Sequence, residues 1–109
     1  MKKILVTGSQ GYVGTNFCES LQKLSHYEVI GFDSGFFAET RLDQRLDKYK
    51  TVRQDIRDMD LKYFEQVDCI VHLAALSNDP MGELSPKLTE EINDHAAFRL
   101  AEQSKAMGV

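Results

Sequence analysis

The sequence predicts an α/β fold, a parallel sheet with helices on both faces, and three observations predict it. Four short apolar, β-branched runs recur along the 109 residues, at 3–7, 28–32, 50–54 and 68–73, with polar or helical segments between them. The first and last of these, ILV and CIVHLA, are continuous in apolar character rather than alternating, as in strands buried on both faces of a parallel sheet. Between the first two runs, Val13, Phe17, Leu21 and Leu24 form one helical stripe, so a helix packs on the first strand.

The remaining elements follow in order. The segment 39–62 holds seven basic and six acidic residues among 24, a mixed-sign density that predicts a solvated surface around a short helix and an outer strand. A last helix starts at Ser85-Pro86 or one turn later at Thr89, both good N-terminal caps, and runs to Met107. Leu88, Ile92, Ala96, Leu100 and Met107 share its predicted buried stripe. Phe98 lies opposite, and Gly108 stands where a left-handed C-terminal cap belongs.

Composition excludes several functions. With 13 Lys+Arg, 17 Asp+Glu and a net charge of −4, the chain has no electrostatic footprint for nucleic acid. No apolar run approaches the roughly 20 residues that cross a bilayer, so no membrane partner is expected. The run after Lys2 and Lys3 is stopped by Gly8, too short for a signal peptide. Cys18 and Cys69 stand far apart without ligand spacing, so no metal site or disulfide framework is expected, and the setting reads as cytoplasmic.

The most informative stretch is TGSQGYVG, which follows the first strand and places Gly8, Gly11 and Gly14 three apart at a strand-to-helix turn. Gly8 permits the tight turn, Gly11 lets backbone approach a pyrophosphate, and Gly14 lets the helix lie close on the sheet. N–H groups around Gly11, Tyr12 and Val13, with the helix dipole behind them, hold phosphates without a cation. Nineteen residues after Gly14, Asp33 ends the second strand, where a carboxylate accepts hydrogen bonds from an adenosine ribose. It also repels a 2′-phosphate. No Arg stands beside the glycines or directly after Asp33, so NAD is the expected cofactor rather than NADP.

On these residues the chain resembles the extended short-chain dehydrogenase/reductases, in particular the NAD-dependent nucleotide-sugar epimerases and dehydratases. Thr7 to Gly14 is similar to that family's TGxxGxxG. Asp55-Ile56-Arg57-Asp58 resembles its D-(I/L)-R-D, which implies that Asp55 and Ile56 contact the adenine; read from the residues alone, Asp55 is an Asp at the C-terminal edge of a strand, where ligands bind, with a helix N-cap as the lesser alternative. Val71-His72-Leu73-Ala74-Ala75 is similar to its V-x-H-L-A-A, which implies that Leu73, Ala74 and Ala75 lie against the cofactor; His72 reads as a packed or hydrogen-bonded strand residue rather than a base. Ser34, beside Asp33, belongs to the same implied cofactor site. Glu91-Ile92-Asn93 resembles the segment carrying an Asn near the nicotinamide, and the helical stripe puts Asn93 at the edge of the buried face. The loop 77–82 lies where a substrate would be touched.

The resemblance implies a Rossmann-type sheet of order 3-2-1-4, with residues 1–109 forming the N-terminal part of a cofactor domain that stops before the fifth strand. It also implies a catalytic Tyr and Lys four apart, and none of the four tyrosines here has that Lys. No catalytic residue is therefore assigned. A nucleotide-sugar substrate is expected only in a full-length form, while the last helix and the open edge of the fourth strand are candidate surfaces for self-association. Two readings compete: the NAD-binding part of an epimerase or dehydratase, or a catalytically silent dinucleotide module that senses NAD or joins a partner chain. A flavodoxin-like or receiver domain shares the rhythm but leaves the three glycines, Asp33 and Asp55 without a reason.

Overall fold

The structure is a computed structural model and describes residues 1–35, 49–74, 87 and 91–109. Strand β1 (Lys2–Thr7) leads into helix α1 (Tyr12–Lys23), followed by β2 (Tyr27–Asp33), β3 (Lys50–Arg53), two 3-10 turns (Ile56–Asp58 and Leu61–Phe64) and β4 (Cys69–His72). A π-helical turn (Glu91–His95) then opens helix α2 (Ala96–Ala106). The expected beginnings of the last helix, the loop 77–82 and Ala75 lie outside the described residues, as does the side chain of Ile92.

The four strands pair in parallel in the order β3-β2-β1-β4, the arrangement the resemblance implied. Alternation along β1 divides the core in two. Ile4 and Val6 face α1 and cluster with Cys18, Leu21 and Val29. Leu5 points the other way, among Ile30, Phe32, Ile56, Met59, Phe64, Val67, Ala96 and Leu100. Helical structure therefore covers both sheet faces, which is why the middle of β1, Ile4 to Val6, is apolar without alternation.

Three expectations are corrected. The buried face of α1 is Gly14, Cys18 and Leu21, whereas Val13 is 61% and Leu24 51% exposed. Both stand at the helix ends, and the small Gly14 and Cys18 are among the residues buried between them. Second, the charged stretch is not only surface. Ile56 and Met59 inside it, with Phe64 and Val67 just beyond, turn inward; Ile56 opens the first 3-10 turn and Met59 caps it, while Phe64 closes the second and Val67 follows it. Third, α2 buries Ala96 and Leu100, while Met107 is 41% exposed past its end. Phe98 is exposed, and Gly108 adopts φ +76° as the cap pattern predicted.

Among the described residues β4 pairs only with β1, so its other edge is open. A cleft of about 430 Å³ runs along that edge to α2, between Cys69, Ile70 and His72 on one side and Ala97, Ala101 and Val109 on the other.

Candidate functional site

The site lies at the carboxyl ends of the strands, where ligands bind in open parallel sheets. Gly8 leaves β1 with φ +71°, and its N–H donates to Phe32 O at 2.8 Å, stitching the loop to β2. A β-carbon on Gly8 would stand 2.7 Å from the backbone of Leu73 and Ala74, and one on Gly14 would collide with the Gly8 carbonyl. These two glycines are required by the protein's own packing. Gly11 is different. Among the described residues a β-carbon there would meet only the Gly8 carbonyl, at an ordinary 3.4 Å, so none of them crowds it.

Gly11 is also the N-cap of α1, and it supplies no side-chain cap; the first turn carries no acidic residue. The first N–H groups of a helix have no partner within it. At Tyr12, Val13 and Gly14 they stand at an end where Tyr12 and Val13 are exposed, an arrangement suited to an anion. The Gly11 N–H itself donates to Gly8 O at 3.1 Å and so shapes the loop, which corrects its expected place among the phosphate-holding groups.

Asp33 ties β2 to this loop. One carboxylate oxygen accepts from the Gln10 N–H at 2.9 Å and the other from the Gly35 N–H at 2.8 Å. A carboxylate oxygen has two lone pairs, so each retains one for a ribose hydroxyl. Ser34 sits half-buried between them.

Thr7 ties β4 to the loop. Its hydroxyl oxygen accepts from the N–H groups of Leu73 and Ala74 at 3.0 and 3.2 Å and lies 2.7 Å from His72 Nδ1. With both lone pairs occupied, the hydroxyl proton goes to Nδ1, which fixes His72 as the neutral Nε2–H tautomer. Burial holds the imidazole pKa below its ordinary 6.5. The unfolded chain thus takes up this proton first, and stability is lost as pH falls below about 6.5. A lower denaturant midpoint at pH 5.5 than at pH 7.5, with the difference reduced in His72→Gln, is the expected result; equal midpoints would contradict the buried neutral imidazole.

A model of the NAD dependent epimerase/dehydratase family matches residues 4–109. The chain belongs to this family. It is 36% identical over 84 residues to YtcB of Bacillus subtilis, an uncharacterized UDP-glucose epimerase, a match spanning 68% of this chain and 26% of that protein. It is 33% identical over 89 residues to an uncharacterized membrane protein of Methanocaldococcus jannaschii, covering 78% of this chain and 27% of the other. Among solved structures it is similar to UDP-glucuronic acid 4-epimerase of Bacillus cereus in complex with UDP-glucuronic acid and NAD, with 30% identity, TM-score 0.73, and 94% of this chain against 36% of that one. The chain thus spans about a quarter to a third of the length of these relatives. No helix among the described residues is long and apolar enough to cross a membrane.

Within this epimerase/dehydratase fold the structure brings the glycine loop, Asp33, Leu73 and Ala74 together; Asp55 follows Gln54, whose N–H donates to Asp33 O at 2.9 Å, and Asn93 lies on the π-helical turn. Asp55 caps the turn Ile56–Asp58, accepting from the Arg57 N–H at 2.9 Å and from its guanidinium at 2.6–3.1 Å. Those guanidinium bonds are the main reason its carboxyl pKa lies below the usual range. Ile56 buries its side chain in the core. Asn93 is exposed on the π-helical turn, which packs beside the Ile56–Asp58 turn, rather than at the edge of a buried stripe. The π turn shifts the helical phase, so an angular count from α2 does not reach it. Sequence reasoning missed Thr7 as a strand-end tie. Its signal, a Thr in register with His72, exists only once β1 and β4 are paired.

Proposed function

We propose that this chain is the NAD-holding part of a nucleotide-sugar epimerase or dehydratase whose acid/base Tyr and Lys lie in a sequence outside these 109 residues. The observation that carries the reading is the Asp33 carboxylate bonded to Gln10 N–H, which joins a ribose-accepting group and a phosphate-accepting helix start in one frame. Tyr12, Val13 and Gly14 offer N–H groups to the pyrophosphate; Gly11 leaves room for it; Asp33, beside Ser34, takes the adenosine ribose. Leu73 and Ala74, fixed by Thr7, form the wall against which the cofactor lies, with Ala75 next in sequence. Asp55, with the Ile56 backbone, borders the adenine, and Asn93 the nicotinamide side.

When bound, NAD supplies a ring that takes a hydride from the sugar and gives it back. Relatives in complex with NAD and a UDP-sugar, such as the Bacillus cereus 4-epimerase, support that chemistry for the longer protein. The chain by itself is expected to bind cofactor and turn over nothing.

Equilibrium titration of the folded chain with NAD and with NADP tests this, and saturable binding that prefers NAD is expected. Asp33→Asn removes a charge-assisted acceptor, worth about 1.5–3 kcal/mol, and should weaken NAD roughly ten- to hundredfold. A folded wild-type chain that ignores both dinucleotides would overturn the proposal.

A further inference from the structure

The geometry points to Arg53 as a residue that sets how strongly this site discriminates between NAD and NADP, an inference that rests on the cofactor reading above. Arg53 is the last residue of β3 and the register partner of Asp33 in the β2–β3 pairing. Registered residues of parallel neighbours share a sheet face. For this pair it is the face of the glycine loop, because Asp33 bonds Gln10 there, while Phe32 and Val52 one step back pack into the opposite cluster. The Arg53 side chain then bends toward β2. A β-carbon built on Gly35 would stand 2.9 Å from Arg53 Nε, 3.1 Å from Cδ and 3.3 Å from Cζ, so the guanidinium lies over the Gly35 backbone.

Gly35 is the residue whose N–H the Asp33 carboxylate accepts. The ribose-reading carboxylate therefore has a cation one residue away on the same face, a neighbour invisible in the sequence because it arrives from another strand. The expectation that no Arg offsets the repulsion of a 2′-phosphate is corrected here. Asp33 disfavours the 2′-phosphate and Arg53 attracts it, and the balance between them sets the preference. Arg53 is exposed, so its contribution is of the size of a surface ion pair and is screened by salt.

The test compares NAD and NADP titrations of the folded wild-type chain with those of Arg53→Ala and Arg53→Gln at low and high salt. Arg53 belongs to neither core cluster, so both variants keep the wild-type circular dichroism spectrum. The expected result is an NADP affinity lowered roughly fivefold at low salt, an NAD affinity changed less than twofold, and a smaller NADP effect at high salt. An unchanged ratio between the two cofactors, or an equal loss of both, would overturn the role of Arg53 while leaving the NAD site standing. A wild-type chain that binds neither overturns the cofactor reading and this inference with it.

Discussion

Gly14→Ala is expected to cost roughly 3 kcal/mol or more, a large part of the 5–15 kcal/mol that holds a domain of this size together. The added methyl would collide with the Gly8 carbonyl, which is backbone, so no rotamer change relieves it. Either α1 moves off β1, losing the burial of Cys18 and Leu21 against Ile4 and Val6, or the loop shifts away from Phe32. Gly11→Ala should behave in the opposite way. Its methyl has room, and an Ala at an N-cap costs about 1 kcal/mol or less relative to Gly, but the methyl fills the space over the helix start. Thermal melts and NAD titrations on the two variants separate structural from ligand-facing glycines. A stable Gly14→Ala would mean that the helix does not press on the loop as described, and full NAD affinity in Gly11→Ala would remove the phosphate from this end.

Thr7→Val is the second large effect. The two side chains have nearly the same shape, so packing is kept and only the hydroxyl is lost. Ala74 N–H then has no acceptor and His72 Nδ1 no donor, while Leu73 N–H keeps Thr7 O at 3.1 Å. Orphaning two half-buried polar groups costs about 1–2 kcal/mol, which lowers the melting temperature by on the order of 10 °C. Because His72 no longer holds a hydroxyl proton, the loss of stability below pH 6.5 should also change in this variant. A melting temperature within about 2 °C of wild type would show that the strand end is held by backbone bonds alone.

Much of this arrangement was legible in the residues. The strands begin and end within a residue or two of the apolar runs because continuous Ile, Leu and Val in short segments have no other stable place than a doubly covered sheet. The glycine turn was legible too, since the positive φ of Gly8 and the closeness of Gly14 to the Gly8 carbonyl are demands local in the chain, whereas the approach of Leu73 and Ala74 to Gly8 is not. What escaped notice depends on register. The bond from Thr7 to His72 and the approach of Arg53 to Gly35 join residues from different strands, and no spacing along the chain encodes them. The face of α1 was misjudged for another reason. A Gly and a Cys carry little weight in an apolar count, yet they occupy the closest approach of helix to sheet.

The central place of β1 has a consequence for how the chain is made. It is made before the other three strands, yet it must be paired on both sides, and Thr7 waits for His72, 65 residues later. At typical elongation rates of about 5–20 residues per second, that interval lasts roughly 3–13 s. Within it α1 can cover one face of β1 and β2 one flank once each has been made, while the flank reserved for β4 stays bare. The last of the four strands to be synthesised is therefore the one that closes the glycine turn, since it brings Leu73 and Ala74 under the Gly8 backbone.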